Sequence, residues 1–439
     1  MSDGKEIGIA VLGFGTVGAG VVETLLKNGE LLRKRLGISL VLRGVADLDV
    51  TSDRGVSLPE GILTTDGGAL IARKDVDVVV ELIGGTGVAK KFILQALEAG
   101  KSVVTANKKL LAECGAELFR AAAEHEADLL FEASVGGGIP IIKALREGLC
   151  ANHIECMYGI LNGTCNYILT RMEEEKLPFD EVLKAAQAAG YAEAEPSLDI
   201  DGHDTAHKAA VLATLAYGQL VPLEKVRVSG IRGMAAADIA YAAEMGYRIK
   251  LLAIIRGGAE GVEVSVQPTL VAHTHQLAAV SGVFNAVWVK GDVVGTTLYY
   301  GRGAGRAATA SAVVADLADA GLALQAGTRH RPLPMACAGD GETLAFRPPE
   351  SVQARYYLRF SMRDRPGMLA RVAAALGAHG IGIDSVMQHE GAKGAEYVPV
   401  ILVTAVARAG EVAAALRDIA AEPKVTEGSA VCYRIEDVV

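Results

Sequence analysis

The sequence predicts an α/β protein in three parts: a doubly wound parallel sheet, an α+β middle domain and a C-terminal layer of ferredoxin-like order. Short apolar runs alternate with helical stretches over residues 1–135, which is typical of a parallel sheet with helices on both faces. Helix-forming and strand-forming stretches then separate between residues 136 and 305. Residues 353–439 follow the order β-α-β-β-α-β.

The length and charge of the chain limit its class. At 439 residues it is too long for one ordinary core, so two or three domains are expected. The net charge is −9 with lysine and arginine dispersed, which favours neither nucleic acid nor a membrane surface as a partner. The first residues lead directly into a strand pattern, so no signal peptide is expected. No apolar run approaches the ~20 residues of a membrane-spanning helix.

The cysteines show no CxxC pair, so neither a disulfide framework nor a structural zinc site is expected. Most are predicted to be buried, reduced thiols in a cytoplasmic protein. The six are Cys114, Cys150, Cys156, Cys165, Cys337 and Cys432.

Hydrophobic periodicity predicts each element of the first domain in turn. Residues 76–82 are nearly all apolar, as in a strand buried on both faces. The predicted strands are 7–12, 40–47, 76–82, 102–105 and 129–132, and the predicted helices are 17–36, 92–98 and 110–125.

Later elements follow from the same periodicity. Helices are predicted to dominate 139–220, including 179–189 and 204–218, and strands are predicted at 249–255, 262–266 and 293–300. An all-apolar helix at 307–320 must be buried, and we expect it to return to the first domain, which would then comprise 1–135 completed by 306–320. Residues 321–352 are rich in glycine and proline and predict a linker. The C-terminal layer is predicted as strand 354–362, a helix ending at 379, strands 383–389 and 397–404, helix 411–420 and strand 430–434.

A glycine-rich turn follows the first strand. Gly13, Gly15 and Gly18 form GxGxxG at the junction of a strand and a helix, the context in which the motif binds a dinucleotide. The glycines permit a tight turn, a close approach to pyrophosphate and close packing of helix on sheet, with the phosphates at the helix N-terminus. The first domain is therefore predicted to be a Rossmann-like domain that binds NAD or NADP.

The choice between the two cofactors stays open. Asp47 ends the second strand, where an acidic side chain binds the ribose hydroxyls of NAD. Arg43 and Arg54 are close enough in sequence to meet a 2′-phosphate instead.

Two further segments place polar groups after strands of this sheet. Lys108 follows the fourth strand, at the edge where open α/β sheets bind ligands. From its position alone, its side chain could contact a substrate or a cofactor, or it could be solvated by water only. Glu132 precedes the glycine-rich stretch 136–138, which offers a carboxylate and exposed carbonyls to a monovalent cation. A flexible interdomain hinge explains the same glycines.

Charges of both signs lie between residues 190 and 208. Asp204 and Lys208 share one helical face and, read simply, form an exposed pair worth about 0.3–0.5 kcal/mol. Together with Glu193 they could bind a substrate that carries an amine and a carboxylate. His203 and His207 have the same spacing, but no carboxylate or cysteine at a helpful spacing favours a metal there.

Taken together, these motifs resemble homoserine dehydrogenase over the first 320 residues. The resemblance lies in GxGxxG, Thr-Ala-Asn-Lys108, Glu132 through Pro140, Gly-Ile-Leu-Asn-Gly-Thr164, Gly-Tyr-Ala-Glu193 through Lys208, and Gly-Arg-Gly-Ala-Gly305 with Thr-Ala-Ser311. The C-terminal unit resembles an ACT domain, with Asp-Arg-Pro-Gly-Met-Leu369 as its strand-to-helix loop. Cys165 stands where the family often has Ser or Thr, and Ala308 where it frequently has proline.

The resemblance implies NAD(P)-dependent interconversion of L-homoserine and L-aspartate 4-semialdehyde, in threonine, methionine and isoleucine biosynthesis. It implies Lys208 as the proton donor, Lys108 as a second catalytic lysine and Asp204 as a catalytic and substrate-binding carboxylate. The other implied substrate contacts are Glu193, Gly163, Thr164 and Tyr191. The implied cofactor contacts are Gly13, Phe14, Gly15, Thr16, Val17, Gly18, Asp47, Ala106, Lys108, Gly190 and Gly305. The implied sodium ligands are Glu132, Val135, Gly137 and Ile139.

Regulation is expected from the ACT-like unit, and assembly from that unit and from the buried-looking strands of residues 249–300. Residues 136–305 are expected to bind substrate and form the dimer, and residues 353–439 are expected to sense L-threonine. A homodimer or homotetramer is expected. No fused aspartate kinase is expected, because no kinase-sized segment precedes the nucleotide-binding pattern.

Two other functions deserve comparison. An aspartate-semialdehyde dehydrogenase would need a nucleophilic cysteine in an electropositive pocket with a histidine base. Cys165 lies nearest to the motifs, but it replaces a hydroxyl residue. A non-enzymatic amino-acid sensor would not need Lys208, Asp204 and Glu193 together.

Overall fold

The computed structural model describes residues 5–328, 344–389, 395–422 and 425–437. These residues form two compact units, each assembled from three stretches of the chain. Unit 1 falls within Met1–Gly163, Asp204–Val226 and Val283–Leu344, and unit 2 within Thr164–His203, Arg227–Gly282 and Ala345–Val439. The division into consecutive domains at 135, 305 and 353 stays a prediction. Cys337 lies outside the described residues. Of the five described cysteines only Cys165 is buried, so the prediction that most of them are buried is wrong.

The strands and helices are numbered here along the chain. The strands are β1 (Glu6–Leu12), β2 (Ser39–Ala46), β3 (Leu63–Thr64), β4 (Val78–Glu81), β5 (Ser102–Thr105), β6 (Leu129–Leu130), β7 (Ile154–Ile160), β8 (Arg227–Val228), β9 (Tyr247–Arg256), β10 (Glu263–Ala272), β11 (Phe284–Gly291), β12 (Gly295–Arg302), β13 (Gln353–Arg363), β14 (Ile383–Gln388), β15 (Tyr397–Thr404), β16 (Ala407–Arg408) and β17 (Thr426–Glu436). The helices are α1 (Thr16–Leu36), α2 (Gly67–Ala72), α3 (Val88–Glu98), α4 (Lys108–Glu124), α5 (Ile141–Lys143), α6 (Gly163–Glu175), α7 (Phe179–Ala188), α8 (Ser197–Ile200), α9 (His203–Tyr217), α10 (Ala236–Glu244), α11 (Arg306–Ala326), α12 (Met368–Ala378) and α13 (Ala409–Ala421).

Unit 1 contains a parallel sheet in the order β3-β2-β1-β4-β5-β6. This is the strand order of a doubly wound nucleotide-binding fold, in which the order of strand addition reverses between β1 and β4. Strands β4 and β5 are buried on both faces, as their apolar composition predicts. The predicted Rossmann-like fold is confirmed.

Helix α11 packs in the same hydrophobic core as that sheet. Its Val313 and Leu317 are fully buried in one cluster with Ile7 and Val11 of β1. By length and composition this helix could cross a membrane, but most of it is buried inside the protein. It ends at Ala326, so residues 321–326, which the sequence predicts as linker, are helical. Part of the remaining linker, 329–343, lies outside the described residues.

Strands β7 and β11 of unit 1 and helix α10 of unit 2 are among the elements that the sequence does not predict. Strand β7 lies in a stretch that the sequence predicts as helical, and it pairs antiparallel with β11, which was also not predicted. Polar Glu155 and Lys290 interrupt their apolar runs, so the strands depend on pairing with each other. Helix α10 in unit 2 was missed because the run 235–243 is rich in alanine and lacks a clear period.

Unit 2 contains a sheet in the order β9-β10-β17-β13-β15-β14. Strands β13 to β17 with α12 and α13 form the predicted β-α-β-β-α-β layer, with the short strand β16 added beside β13. The last long strand of this layer, β17, pairs in parallel with β10. The C-terminal layer therefore shares a continuous sheet with strands of the preceding region.

Candidate functional site

A cavity of about 380 Å³ lies at the carboxyl ends of β1, β2 and β4 in unit 1. Open α/β sheets bind ligands at this edge, where the strand order reverses. The cavity is lined by Leu12, Gly13, Gly15, Ala46, Asp47, Leu48, Thr65, Gly67, Leu82, Ile83, Val88 and Phe92.

The three glycines of the turn have different tasks. Gly13 has φ +98°, and a Cβ there would lie 2.6 Å from the carbonyl oxygen of Leu82. A Cβ on Gly18 would lie 1.9 Å from the carbonyl oxygen of Gly13, so only glycine lets α1 approach the turn. Gly15 has nothing within 4 Å of its Cβ direction, and that open space is available to a bound ligand. The fold requires the first and last glycines, whereas the middle one leaves room for a phosphate.

The carboxylate of Asp47 stabilises the same turn. Its two oxygens accept hydrogen bonds from the backbone N–H groups of Phe14 and Asp49. Arg43, one of the residues considered for a 2′-phosphate, pairs with Glu6 at the opposite end of the strands. Arg43 therefore does not fit the 2′-phosphate alternative. Arg54 pairs with Asp49 at 2.8 Å, just after Asp47 in the chain.

The remaining predicted cofactor contacts divide between the units. Phe14 is buried in the core cluster, so its backbone rather than its ring faces the turn. Thr16 and Val17 begin α1, and Ala106 follows β5. Gly305, with φ +115°, immediately precedes α11 in unit 1, and Gly190, with φ +75°, follows α7 in unit 2.

Three charged side chains meet in unit 1. Asp204 contacts Lys208 through Oδ2 at 2.6 Å and Lys108 through Oδ1 at 3.0 Å. Lys208 also donates to the carbonyl of Leu161 at 2.7 Å, and Asn162 donates to Oδ2 of Asp204 at 2.9 Å. The lysines, far apart in the sequence, thus share one carboxylate. The simple interpretation of Asp204 and Lys208 as an exposed pair is wrong, because their side chains are only 5% and 11% exposed.

Backbone and caps hold this cluster in place. Asp204 and Lys208 lie one turn apart on α9, which is buried along most of its length. Lys108 is the first residue of α4, and Asn107 before it caps that helix by accepting from the N–H of Leu110. The Asn107 amide also donates to the carbonyl of Gly85 at 2.7 Å. Lys108 therefore projects from a helix start that is anchored on both sides.

Electrostatics keep Asp204 ionised. Burial alone would raise the pKa of its carboxyl group, but the charges of Lys208 and Lys108 and the hydrogen bonds from Lys208 and Asn162 outweigh burial. The pKa of Asp204 therefore lies well below its ordinary value. The cluster therefore holds an ionised carboxylate between two lysine side chains.

A second group of predicted residues lies in unit 2. Thr164, in the first turn of α6, donates through its hydroxyl to the carbonyl of Tyr191 at 2.6 Å. The rings of Tyr167 and Tyr191 lie 4.8 Å apart. Gln187 donates to the backbone carbonyl of Glu193 at 3.0 Å, and the Glu193 side chain is exposed. These contacts hold the 190–193 segment against α6.

The carboxylate of Glu132 lies buried at the start of α5. Its two oxygens accept from the N–H groups of Ile142 and Lys143 at 2.9 and 2.8 Å, and its own N–H donates to Asp316. Burial raises the pKa of Glu132, against the opposing effect of those N–H groups. A carboxylate has about four lone-pair sites, so two remain for a cation. Gly136 and Gly137 have positive φ, so the carbonyl groups of this loop do not follow the directions of a regular strand or helix.

The other candidates have simpler roles. His203 is exposed and His207 is buried, and burial lowers the pKa of His207. Within the described ranges no three His, Cys, Asp or Glu side chains cluster as a metal site would require. Cys165 is fully buried with its thiol near the carbonyl of Asp199 at 3.2 Å, which does not suit a nucleophile.

Sequence reasoning missed two polar residues that support the site. Asn162 is buried and binds Asp204, and its position just after β7 was the available signal. Glu81 is fully buried at the end of β4, where it accepts from the Thr105 hydroxyl at 2.7 Å and from the N–H groups of Ile83 and Gly84. A single acid ending an apolar strand could have indicated it.

Comparison with known proteins gives consistent results along the chain. A family model described as homoserine dehydrogenase matches residues 140–318, a homoserine dehydrogenase NAD-binding model matches 13–132, and an ACT domain model matches 356–421. A homoserine dehydrogenase from Neisseria gonorrhoeae is 46% identical over 385 residues, covering 88% of each chain.

Solved structures agree. The crystal structure of a homoserine dehydrogenase from Thiobacillus denitrificans has a TM-score of 0.91 and 43% identity, covering 99% of each chain. A hyperthermophilic archaeal homoserine dehydrogenase in complex with NADPH has a TM-score of 0.62 and 28% identity, covering 72% of this chain and 97% of its own. On this evidence the chain belongs to the homoserine dehydrogenase family of NAD(P)-dependent oxidoreductases, with a C-terminal ACT domain.

Proposed function

We propose that this chain interconverts L-homoserine and L-aspartate 4-semialdehyde with Lys208 as the proton donor, and that the reaction serves threonine, methionine and isoleucine biosynthesis. The carrying observation is the buried Asp204 between Lys208 and Lys108, in the unit that contains the nucleotide fold. When bound, the nicotinamide supplies the hydride chemistry. The cavity at β1, β2 and β4 and the open side of Gly15 fit a dinucleotide.

Lys208 meets the chemical requirement of the reduction. An aldehyde oxygen gains negative charge as the carbonyl carbon is reduced, and an ammonium both stabilises that charge and can release a proton to it. Within the described residues, two of its three N–H donors are used, on Asp204 and Leu161. We assign the third to the substrate oxygen, with Asp204 fixing the orientation of the lysine.

The proposed contacts with the substrate include carboxylates and a lysine. We propose that Glu193 and Asp204 bind the amino group and hydroxyl region of homoserine, and that Gly163, Thr164 and Tyr191 line the pocket. Lys108, 33% exposed and paired with Asp204, is proposed as the second catalytic or orienting lysine.

A direct assay tests the reaction. Homoserine oxidation followed by absorbance, with NAD and NADP in parallel, should show homoserine-dependent formation of reduced cofactor. No turnover with either cofactor would contradict the proposal. The ratio of kcat/KM for the two cofactors settles the preference, since Asp47 favours NAD and Arg54 is the remaining candidate for a 2′-phosphate.

We further propose sodium at Glu132 with the carbonyls of Val135, Gly137 and Ile139. The buried carboxylate with raised pKa supports a cation there, because a bound cation would compensate its charge. Sodium chloride should raise the melting temperature more than choline chloride of equal concentration does. Equal melting temperatures would contradict the site.

L-Threonine is proposed as the effector of the ACT domain. Strand β17 carries Arg434 directly across from Thr269 of β10, which is itself across from Lys250 of β9, so the domain is joined to the preceding region by paired strands. Threonine should inhibit turnover, and Asp364→Ala in the strand-to-helix loop should weaken inhibition more than Asp418→Ala does. Threonine-insensitive wild-type rates would contradict the proposal.

Self-association is proposed through β12. This strand pairs with β11 in its sheet and alternates half-buried with exposed residues, including Leu298 and Tyr300. A homodimer or homotetramer in sedimentation experiments is the expected result.

The cytoplasmic location inferred from the cysteines stays a prediction.

A further inference from the structure

A lysine that the sequence analysis did not single out is buried in unit 2. Lys250 lies in β9 and is 2% exposed. Its ammonium donates to the carbonyl of Val280 at 2.6 Å and to Oδ1 of Asn166 at 3.2 Å. Both partners are neutral, and burial lowers the pKa of Lys250 to about 8.

A lysine in this position is costly for the fold. Burying an ammonium group without a paired carboxylate is unfavourable, and an apolar side chain of similar volume would be cheaper. Its hydrogen bonds therefore have to provide something that methionine or leucine cannot. They join three parts of unit 2: strand β9, the first half of α6 and the loop at 280–282.

Asn166 is the centre of this connection. Its side-chain oxygen accepts from Lys250, and its nitrogen donates to the carbonyls of Val280 and Gly282 at 3.2 and 3.0 Å. Thr170, one turn later, donates to the Asn166 carbonyl at 2.7 Å and accepts from the N–H of Gly282 at 3.1 Å. The lysine thus fixes which way the Asn166 amide points.

The same turn of α6 carries a proposed substrate contact. Thr164 lies two residues before Asn166 and holds the carbonyl of Tyr191, whose ring packs on Tyr167. A rotation or shift of this turn would therefore move both Thr164 and the 190–193 segment.

We propose that Lys250 is a positioning residue for homoserine: through Asn166 it sets the first turn of α6, and with it Thr164 and Tyr191, in the geometry that binds the substrate. The inference rests on the proposed assignment of Thr164 and Tyr191 to the homoserine site. Lys250 itself does not take part in proton transfer. Its loss should weaken homoserine binding while leaving cofactor binding intact.

The test compares Lys250→Met with Lys101→Met. Lys101 is a matched control, because its ammonium also donates to two backbone carbonyls, those of Arg73 and Val76, within the nucleotide fold. We expect Lys250→Met to raise KM for homoserine at least tenfold, with KM for the cofactor within twofold of wild type. Lys101→Met should leave KM for homoserine unchanged. A folded Lys250→Met protein with wild-type KM for homoserine would overturn the inference.

A double-mutant cycle with Asn166→Ala tests the route. If Lys250 acts through Asn166, the double variant should raise KM for homoserine no more than the larger single change does. Multiplying effects would refute it. Should Lys250→Met not fold, Thr170→Val replaces it, with a three- to tenfold rise in KM for homoserine expected and an unchanged KM overturning the inference. Absence of turnover in wild type would refute the proposed function itself, whereas these ratios concern only Lys250.

Discussion

At the scale of single residues, the site depends on a carboxylate shared by two lysines. Asp204 and Lys208 could be related from their spacing on one helix, since residues four apart share a face. Lys108 could not, because nothing local to either segment reveals that α4 begins beside α9. Burial also reverses the expected energetics: in place of a solvated pair, Asp204 is an enclosed anion that needs its partners.

The role of Lys208 gives the first prediction. Lys208→Ala should lower kcat by about 10²–10⁴-fold, the usual contribution of a general acid, because the substitution removes the proposed proton donor to the aldehyde oxygen. Binding of reduced cofactor, followed by its fluorescence, should persist. Lys109→Ala, an exposed lysine paired with Glu113, is the control and should keep wild-type kcat. Wild-type kcat in Lys208→Ala would refute the assignment.

Lys250 gives a prediction for pH-dependent stability. Its pKa falls from 10.5 to about 8 on folding, so between these values the unfolded chain binds a proton that the folded chain does not. The free energy of unfolding should therefore rise with pH through this window. Urea unfolding at pH 7.5 and 9.5 should show a rise in wild type that is larger than in Lys250→Met by about 2 kcal/mol. Equal pH dependence in both proteins would contradict the shift.

At the scale of elements, the strand–turn–helix unit could be predicted from the sequence because its determinants are local. Gly13, Gly15 and Gly18 lie within six residues, and the apolar strand before them and the amphipathic helix after them are periodic. Strands β7 and β11 could not be predicted in the same way, because these strands are stabilised by pairing with each other across a long separation in the sequence.

The glycine turn yields a prediction that separates folding from binding. Gly15→Ala should fold normally, because its Cβ meets nothing within 4 Å, yet should raise KM for the cofactor about tenfold or more by occupying the space of the phosphate. Gly29→Ala, within α1 and also with nothing within 4 Å of its Cβ direction, should fold and leave KM for the cofactor unchanged. Gly18→Ala should destabilise the fold, because its Cβ would lie 1.9 Å from the Gly13 carbonyl oxygen. Unchanged cofactor KM in Gly15→Ala would argue against this turn as the phosphate site.

At the scale of the whole molecule, the ACT domain is built into unit 2. Besides the pairing of β17 with β10, the fully buried Asp238 of α10 accepts from Tyr357 at 2.7 Å and pairs with Arg359 of β13. Arg434 of β17 forms a buried ion pair with Glu263 of β10. Cutting the chain near Gln353 would therefore expose the edge of β10 and remove the arginine partners of Asp238 and Glu263.

The buried ion pairs give a prediction for stability. Arg359→Met should lower the free energy of unfolding by about 3–5 kcal/mol, because the buried Asp238 would keep the Tyr357 hydroxyl but lose its ion-pair partner. Arg371→Met, which removes a surface pair with Glu422 at 3.8 Å, should cost less than about 1 kcal/mol. Urea denaturation of both variants makes the comparison, and equal small losses would show that Asp238 does not depend on Arg359.

The sequence alone determined the nucleotide-binding turn, the parallel sheet, the β-α-β-β-α-β order of the C-terminal layer and the family resemblance. Each of these rests on short-range periodicity or on residues spaced within a single motif. Tertiary structure alone decided that Lys108 and Lys208 meet at Asp204, that Asn162 and Glu81 support the site, and that the ACT strand β17 completes a sheet with β10. The physical reason is that burial and pairing between distant segments set the energy of a charged or strand-forming residue. Neither can be deduced from the residues next to it in the sequence.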